Sequence, residues 1–220
     1  MARSAFSEDL EGLRLQMELM ALRVGDAVFG AREVLATGDA DRARQMVAGD
    51  DAIDEMQVSL TEQCYQLLAQ QAPVAADLRL VVSVIRVLHE LERIGDLSLR
   101  VANAVDDQHL IAAHPAVFEV LLDLADNVVQ RFEAVRAGWS AGSVELLDPL
   151  DQTDPLAGLA ARLVNELRAL EGPEAVRVAL AAIAIGRSFD RIGDHTQVMA
   201  CRLQYLVTGD PAHLADEVAW

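Results

Sequence analysis

The chain has 220 residues and combines 52% hydrophobic residues with only 4% aromatic ones, a composition that supplies an aliphatic core and favours a helix bundle over disorder. Its formal net charge is −17, from 35 acidic against 18 basic residues, which disfavours binding to nucleic acid or anionic lipid because both require cationic neutralisation. The chain contains no Lys, which excludes a P-loop and a Schiff-base enzyme because both need a Lys amine.

The sequence pattern predicts three long helices in the first half of the chain. Helical periodicity dominates, and no alternation typical of a strand is evident. The first helix spans about 8–36, with Ser7 as its N-cap, and the segment 37–39 ends it and caps the second helix through Asp39. The second helix spans about 40–70. Pro73 is expected to start the third helix, which continues to about residue 106.

The second half follows the same plan. A fourth helix is expected from about 115 to 137, ending near Gly138. A fifth spans about 155–170, preceded by two Asp-Pro pairs at 148–149 and 154–155 that each offer a cap and a first helical residue. After Gly172 and Pro173, a sixth helix runs to Gly209, and Asp210 is placed to cap a short terminal helical turn.

Two cysteines and the apolar runs bear on location. Cys64 and Cys201 are far apart within helical patterns, so we interpret them as small buried hydrophobic residues of a protein in a reducing cytoplasm. The N-terminal residues lack the basic and apolar regions of a signal peptide. The longest apolar run, 178–185, is too short to insert into a bilayer, which needs about 20 residues.

A six-residue phrase occurs twice and indicates an internal duplication. It reads Glu-Arg-Ile-Gly-Asp-Leu at 92–97 and Asp-Arg-Ile-Gly-Asp-His at 190–195, an offset of 190 − 92 = 98 residues. Arg79 and Arg177 stand at the same offset. The repeat predicts an all-α fold of two tandem three-helix bundles, six long helices with pseudo-two-fold symmetry, divided into residues 1–108 and 109–220.

Each copy of the phrase places two acidic residues on one helix face. Residues four apart are neighbours on a helix, so Glu92 lies beside Asp96 and Asp190 lies beside Asp194. A glycine sits inside each phrase, and a mid-helix glycine costs about 1 kcal/mol relative to Ala. Two such costs in register indicate either close approach of another helix or a bound ion. Alternatively, the acids form solvated faces or pair with nearby arginines.

The second helix carries further acids at the same spacing. Asp50 and Asp54 are one turn apart, and an antiparallel arrangement would bring them to the face that holds Glu92 and Asp96. Clusters of carboxylate oxygens favour hard cations such as Mg²⁺ or Mn²⁺, and carboxylate-bridged iron is also compatible. His89 and His195 lie near the acids, and a nitrogen ligand would shift the preference towards iron or zinc.

These motifs resemble those of the phosphate-uptake regulator family, PhoU, over residues 8–208. That family has paired three-helix repeats, each with acid-x-x-x-acid motifs in a phrase like the one at 92–97 and 190–195. The resemblance implies a cytoplasmic, often dimeric, non-enzymatic negative regulator that links a phosphate ABC transporter to a sensor histidine kinase. The expected contacts are the nucleotide-binding subunit of the transporter and the kinase.

The resemblance also implies a metal-binding role, for Fe, Zn, Mg or Mn. Carried over by position, the candidate ligands are Glu92, Asp96, Asp50 and Asp54 in the first repeat and Asp190 and Asp194 in the second. The second repeat departs from the pattern because Asp151 and Asp154 are three rather than four residues apart. We therefore expect the more complete metal site in the first repeat.

Two alternatives remain open from the sequence. One is a carboxylate-bridged metalloenzyme in a helical bundle, although ferritin-like sites use Glu-x-x-His and this chain offers the reverse order, His89-x-x-Glu92. The other is a purely structural role for the acids, with no metal. No spacing of Ser, His and Asp suggests a catalytic triad.

Overall fold

The structure is a computed structural model that describes residues 2–147, 155–215 and 217. We label the six long helices α1 to α6 and give shorter elements by their residues. The six are α1 (Ala2–Thr37), α2 (Ala40–Gln71), α3 (Ala75–Ala102), α4 (Pro115–Ala141), α5 (Pro155–Arg168) and α6 (Ala175–Thr208).

Shorter helical elements follow α3, α4 and α6. They are Val105–Asp107, Gln108–Ala112, Glu145–Leu147 and Ala212–Ala215. No strand occurs in the described residues, and none of the helices described is long and apolar enough to cross a membrane. The predicted Asp-Pro cap at 148–149, Asp151 and Asp154 lie outside the described residues, and Pro155 is the first residue of α5.

Several predicted helix boundaries are confirmed by the capping geometry. The Asp39 carboxylate accepts hydrogen bonds from the backbone N–H groups of Asp41 and Arg42 at 2.8 and 3.0 Å, as an N-cap residue should. Gly209 ends α6 with a φ of 73°, a conformation that glycine adopts without steric cost. Asp210 accepts from the Ala212 N–H at 2.9 Å, and this contact starts the terminal helical turn.

Four boundary predictions were wrong, and one of them is the end of α3, which lies at Ala102 instead of near residue 106. Helix α1 begins at Ala2, so Ser7 lies inside the helix rather than capping it. Pro73 precedes α3 by two residues, because Val74 is extended (φ −128°, ψ 158°) and occupies the N-cap position. Helix α4 continues through Gly138 to Ala141, and Gly142 is its C-cap (φ 61°).

Gly138 serves packing rather than termination. A Cβ atom at Gly138 would lie 2.9 Å from Leu203 Cδ2 on α6 and 3.0 Å from the carbonyl oxygen of Ser143. The absence of a side chain therefore allows the returning chain and α6 to approach α4 closely. In the sequence alone, a glycine that allows close packing cannot be distinguished from a glycine that ends a helix.

The two trios predicted from the repeat are present. Helices α1, α2 and α3 pack together, as do α4, α5 and α6, and the trios join through α3 against α6 and α1 against α4. One continuous hydrophobic core runs from Leu10 on α1 to Leu203 on α6. Helix α3 contacts α6 more extensively than any other pair, and this crossing places the two copies of the repeated phrase near each other.

The two mid-helix glycines of the repeated phrase face different neighbours. A Cβ atom on Gly95 would lie 3.5 Å from Ile53 Cδ1 on α2, an ordinary contact distance. A Cβ atom on Gly193 would lie 2.5 Å from Leu156 Cδ1 on α5. Close approach of a neighbouring helix therefore explains Gly193, whereas Gly95 has room for a methyl group.

This difference predicts unequal responses to the same substitution. Gly95→Ala should raise the free energy of unfolding by up to about 1 kcal/mol, because Ala is the better helix former and meets no obstacle. Gly193→Ala should raise the free energy of unfolding by less, because Leu156 must move to make room for the new methyl group. Urea unfolding of both variants measures this, and an equal gain in the two would contradict the assigned packing.

Candidate functional site

The four predicted acids of the first repeat share one face of the α2–α3 pair. Burial raises the pKa of Asp50 above its usual value, and repulsion from Asp54, Asp96, Asp51 and Glu92 raises it further. These mutual effects place the α2 acids within electrostatic reach of the α3 acids. The structure thus brings together Asp50, Asp54, Glu92 and Asp96, which we call the acidic face.

Glu92 is the α3 member of the acidic face whose pKa is raised. Burial raises the pKa of its carboxyl group, repulsion by Asp96 adds to this, and the nearby Arg93 and His89 oppose it. The Arg93 Nε lies 3.6 Å from Glu92 Oε2. The pKa of Glu92 stays raised despite this contact, so repulsion among the carboxylates persists, and a cation would relieve it.

The chemistry of the acidic face fits a hard divalent cation, with some rearrangement of the side chains. Its donors are carboxylate oxygens, which Mg²⁺ and Mn²⁺ prefer. Within the described ranges, no three His, Cys, Asp or Glu side chains already stand in a ligating arrangement. Binding would therefore require the four carboxylates to turn towards a common point.

The pH dependence of stability follows from these raised pKa values. A carboxyl group whose pKa is higher in the folded than in the unfolded chain binds protons more tightly when folded. The free energy of unfolding therefore rises as the pH falls towards the pKa that the group has in the unfolded chain. The usual values are 3.8 for Asp50 and 4.5 for Glu92. At neutral pH both carboxylates are charged and destabilise the fold. This destabilisation disappears as the pH falls from the raised pKa values to the usual ones.

We therefore expect chelator-treated protein to gain stability from these two groups as the pH falls from neutral through their raised pKa values towards about 4. The double variant Asp50→Asn with Glu92→Gln should show a flatter pH dependence, because it carries neither charge. Urea unfolding in EDTA across this range measures the difference. An identical pH slope in the variant and the unaltered protein would contradict the electrostatic assignment.

The second repeat lacks an equivalent face in the described residues. Asp194 Oδ2 lies 4.0 Å from Arg191 Nε, and Asp194 lines a cleft with Arg86 and Glu217 rather than facing a second pair of acids. Asp190 is half-buried on the same helix. The acids that the α5 side would contribute, at 151 and 154, lie outside the described residues.

A buried charge network that the sequence analysis missed joins the repeats. Glu90 on α3 is 1% exposed, and its Oε2 accepts a hydrogen bond from His195 Nδ1 on α6 at 2.6 Å. Arg86 NH1 forms an ion pair with Glu90 Oε1 at 2.7 Å. His195, considered above as a metal ligand, thus directs Nδ1 at Glu90.

The carboxyl-terminal segment completes this network. Arg202 NH2 donates to Glu217 Oε2 at 2.7 Å, and Arg86 Nε lies 3.9 Å from the same oxygen. The Glu217 side chain is only 7% exposed. Nothing in the local spacing signals a buried acid at 90, because the repeat has Ser188 at the matching position.

Ion pairs also join the trios at α1 and α4. Arg32 donates from Nε to Asp126 Oδ1 at 2.7 Å and from NH2 to Oδ2 at 3.3 Å. Within the first trio, Arg42 on α2 contacts Asp26 and Glu33 on α1 at 2.9 and 3.2 Å. Asp26, Glu33 and Asp126 are thus each paired with an arginine from another helix, whereas Glu92 of the acidic face contacts only its neighbour in sequence, Arg93, among the ion pairs of the described residues.

Comparison with known proteins assigns the family. The family model for the PhoU domain matches residues 17–105, a span that includes the acidic face. The PhoU homolog of Deinococcus radiodurans, named a phosphate-specific transport system accessory protein, is 30% identical over 184 residues, which cover 81% of this chain and 85% of that protein. The chain belongs to the PhoU family.

Other PhoU proteins resemble nearly the whole chain. PhoU homolog 1 of Thermotoga maritima, also named a phosphate-specific transport system accessory protein, is 29% identical over 211 residues, 93% of this chain and 89% of that protein. The crystal structure of PhoU from Pseudomonas aeruginosa superposes with a TM-score of 0.87 at 28% identity, over 93% of this chain and all of that one. The predicted all-α PhoU-like fold is confirmed.

Proposed function

We propose that this chain is an accessory protein of a phosphate-specific transport system that represses phosphate uptake and phosphate-starvation signalling. The observation that carries the proposal is similarity along almost the entire chain to PhoU proteins named as accessory proteins of that system. Its partners in this proposal are the nucleotide-binding subunit of the phosphate ABC transporter and a sensor histidine kinase. It acts in the cytoplasm as a homodimer and without catalytic turnover.

An exposed apolar stripe on α1 supports a protein-binding role. Leu15, Leu19, Leu22 and Phe29 follow one face of α1, and each is between 47% and 57% exposed. Large apolar side chains grouped on one exposed face are typical of surfaces that contact another protein. The strongly acidic remainder of the surface favours partners with basic patches.

Cation binding at the acidic face is part of the same proposal. Asp50, Asp54, Glu92 and Asp96 would hold a divalent ion, which would neutralise their mutual repulsion and brace α2 against α3. The alternative of a carboxylate-bridged metalloenzyme has less support, because His89-x-x-Glu92 has the reverse order of the Glu-x-x-His motif of ferritin-like sites.

Deletion of the gene tests the regulatory role. In phosphate-rich medium, a strain without this chain should express phosphate-starvation reporters and take up phosphate more than the unaltered strain does. The intact gene should restore repression of both. Unchanged reporters and uptake in the deletion strain would refute the proposal.

Co-purification tests the proposed partners. The purified chain should retain the transporter's nucleotide-binding subunit and the sensor kinase, and Leu15→Gln with Leu19→Gln and Leu22→Gln should weaken at least one of these contacts. The matched control replaces three exposed residues away from the stripe, Val58, Tyr65 and Val47, with Gln. If neither partner bound the unaltered chain, the proposed contacts with the transporter and the kinase would be contradicted.

A further inference from the structure

Two clefts lie on either side of the α3–α6 crossing. The larger, about 580 Å³ in volume, is lined by Arg93 and Arg100 from α3 and by Arg187 and Arg191 from α6. The smaller, about 340 Å³, contains Arg86, Glu90 and Glu217. We call them the open cleft and the filled cleft.

The internal repeat relates the clefts to each other. At the 98-residue offset, Arg93 of the open cleft matches Arg191, and Asp96 matches Asp194. Both clefts are therefore built from the same positions of the duplicated helices, and the differences between them lie in a few side chains.

In the filled cleft, intramolecular carboxylates neutralise the cations. Glu90 pairs with both His195 and Arg86, and Glu217 pairs with Arg202. Glu217 comes from the carboxyl-terminal segment, so a carboxylate from outside the helix pair occupies this side of the crossing. The filled cleft therefore shows that arginine and histidine side chains at these positions can bind an anionic group.

In the open cleft, the corresponding positions have lost the buried anion and gained one arginine overall, because Ala184 stands where the filled cleft has Arg86 while two other positions carry an additional arginine. Ser188 matches Glu90, and its hydroxyl donates to the Ala184 carbonyl oxygen at 2.9 Å. Arg187 matches His89, and Arg100 matches Val198. The duplicated scaffold therefore has more positive charge here and no buried acid.

The arginines of the open cleft are poorly neutralised by the protein. Within the described parts of the chain, Arg100 and Arg187 form no ion pair with a carboxylate. Arg93 and Arg191 each approach one neighbouring acid, at 3.6 and 4.0 Å. Four guanidinium groups face one lining carboxylate among the described residues, that of Asp96, in a chain whose net charge is −17.

We propose that the open cleft binds a small molecule that carries two or more linked phosphate groups. Arginine matches phosphate oxygens with paired N–H donors. Arg93 and Arg100 are seven residues apart on α3, about 10 Å along the helix axis, so a ligand with linked phosphate groups matches this spacing better than a single phosphate does. The volume falls in the range of about 300–1,000 Å³ typical of small-molecule sites. A nucleotide and an inorganic oligophosphate share this chemistry.

Calorimetric titration of the metal-free, full-length chain tests the site. The probes are sodium tripolyphosphate, ATP and orthophosphate, each at low and moderate salt. We expect tripolyphosphate or ATP to bind more tightly than orthophosphate, with weaker binding at higher salt because the contacts are charged. Binding of ATP alone identifies a nucleotide as the ligand, and tighter binding of tripolyphosphate identifies an inorganic oligophosphate.

Two charge-matched variants separate the cleft from the overall charge. Arg100→Gln with Arg187→Gln should weaken binding about tenfold or more, because two charge-assisted contacts are lost. Arg14→Gln with Arg23→Gln removes the same charge from exposed positions on α1 and should leave binding within about twofold. All four positions are exposed, so the variants should fold, which circular dichroism verifies.

Three outcomes would overturn the proposal. They are no binding of any probe, equal losses in the two double variants, and orthophosphate binding as tightly as the longer anions. Arginine-dependent binding of an oligoglutamate peptide, with no binding of tripolyphosphate or ATP, would instead assign the cleft to an acidic protein segment. An anion site here would stand whether or not the acidic face holds a cation.

Discussion

Glu90→Gln should lower the free energy of unfolding by about 3 kcal/mol, in line with the cost of removing one partner from a buried ion pair. The Glu90 carboxylate is 1% exposed, while the side chains of His195 and Arg86 are 17% and 38% exposed. His195 would lose its anionic acceptor while remaining largely buried. Partial hydration of Arg86 keeps the expected cost at the lower end of the range for such pairs.

Urea unfolding followed by circular dichroism measures the effect of Glu90→Gln. The matched control is Glu119→Gln on α4, which removes the same charge from an exposed position and should change stability by less than about 0.5 kcal/mol. Equal midpoints for the two variants would show that the Glu90 network does not stabilise the junction between the repeats.

Phe189→Ala should destabilise the protein by about 3–5 kcal/mol, the usual cost of removing a buried aromatic ring. Phe189 is fully buried on α6, in the core that runs through both trios. The exposed Phe29 on α1, 47% accessible, provides the matched control, and Phe29→Ala should cost far less because little buried surface is lost.

The shared core also predicts that both trios unfold together. Trp139 on α4 is buried and donates from Nε1 to the Met199 carbonyl oxygen at 2.9 Å, and both Trp residues lie in the second half of the chain. In a Trp220→Phe background, Trp139 fluorescence therefore reports the second trio, while circular dichroism reports all helices. Coincident transitions in the unaltered protein and in Phe189→Ala are expected. A separate early fluorescence transition would show that the trios are independent.

The helices were predictable because their apolar positions recur at helical spacing and their ends carry clear caps. Asp39 and Gly209 marked ends that the structure confirms. Gly138 misled the prediction, since a glycine chosen for close packing has the same appearance in sequence as one that ends a helix. The assignment of residues 1–108 and 109–220 as two separate domains stays a prediction.

The acidic face was predictable for a related reason. Spacing of four places Asp50 beside Asp54 and Glu92 beside Asp96, and an antiparallel α2–α3 pair brings the two sets together. The Glu90 network and the open cleft were not predictable, because they depend on how α3 crosses α6. No local pattern links Arg100 to Arg187, and only the crossing of the two repeats places them in one cleft.

Cation binding at the acidic face is tested most directly by Mn²⁺ titration of the metal-free protein, with free Mn²⁺ followed by electron paramagnetic resonance. Two variants each replace one acid pair of the repeated phrase, Glu92→Gln with Asp96→Asn and Asp190→Asn with Asp194→Asn. The first-repeat variant should lose affinity about tenfold or more, whereas the second-repeat variant should bind nearly as the unaltered chain does. Equal affinities in all three proteins would contradict the assignment of the cation site to the first repeat.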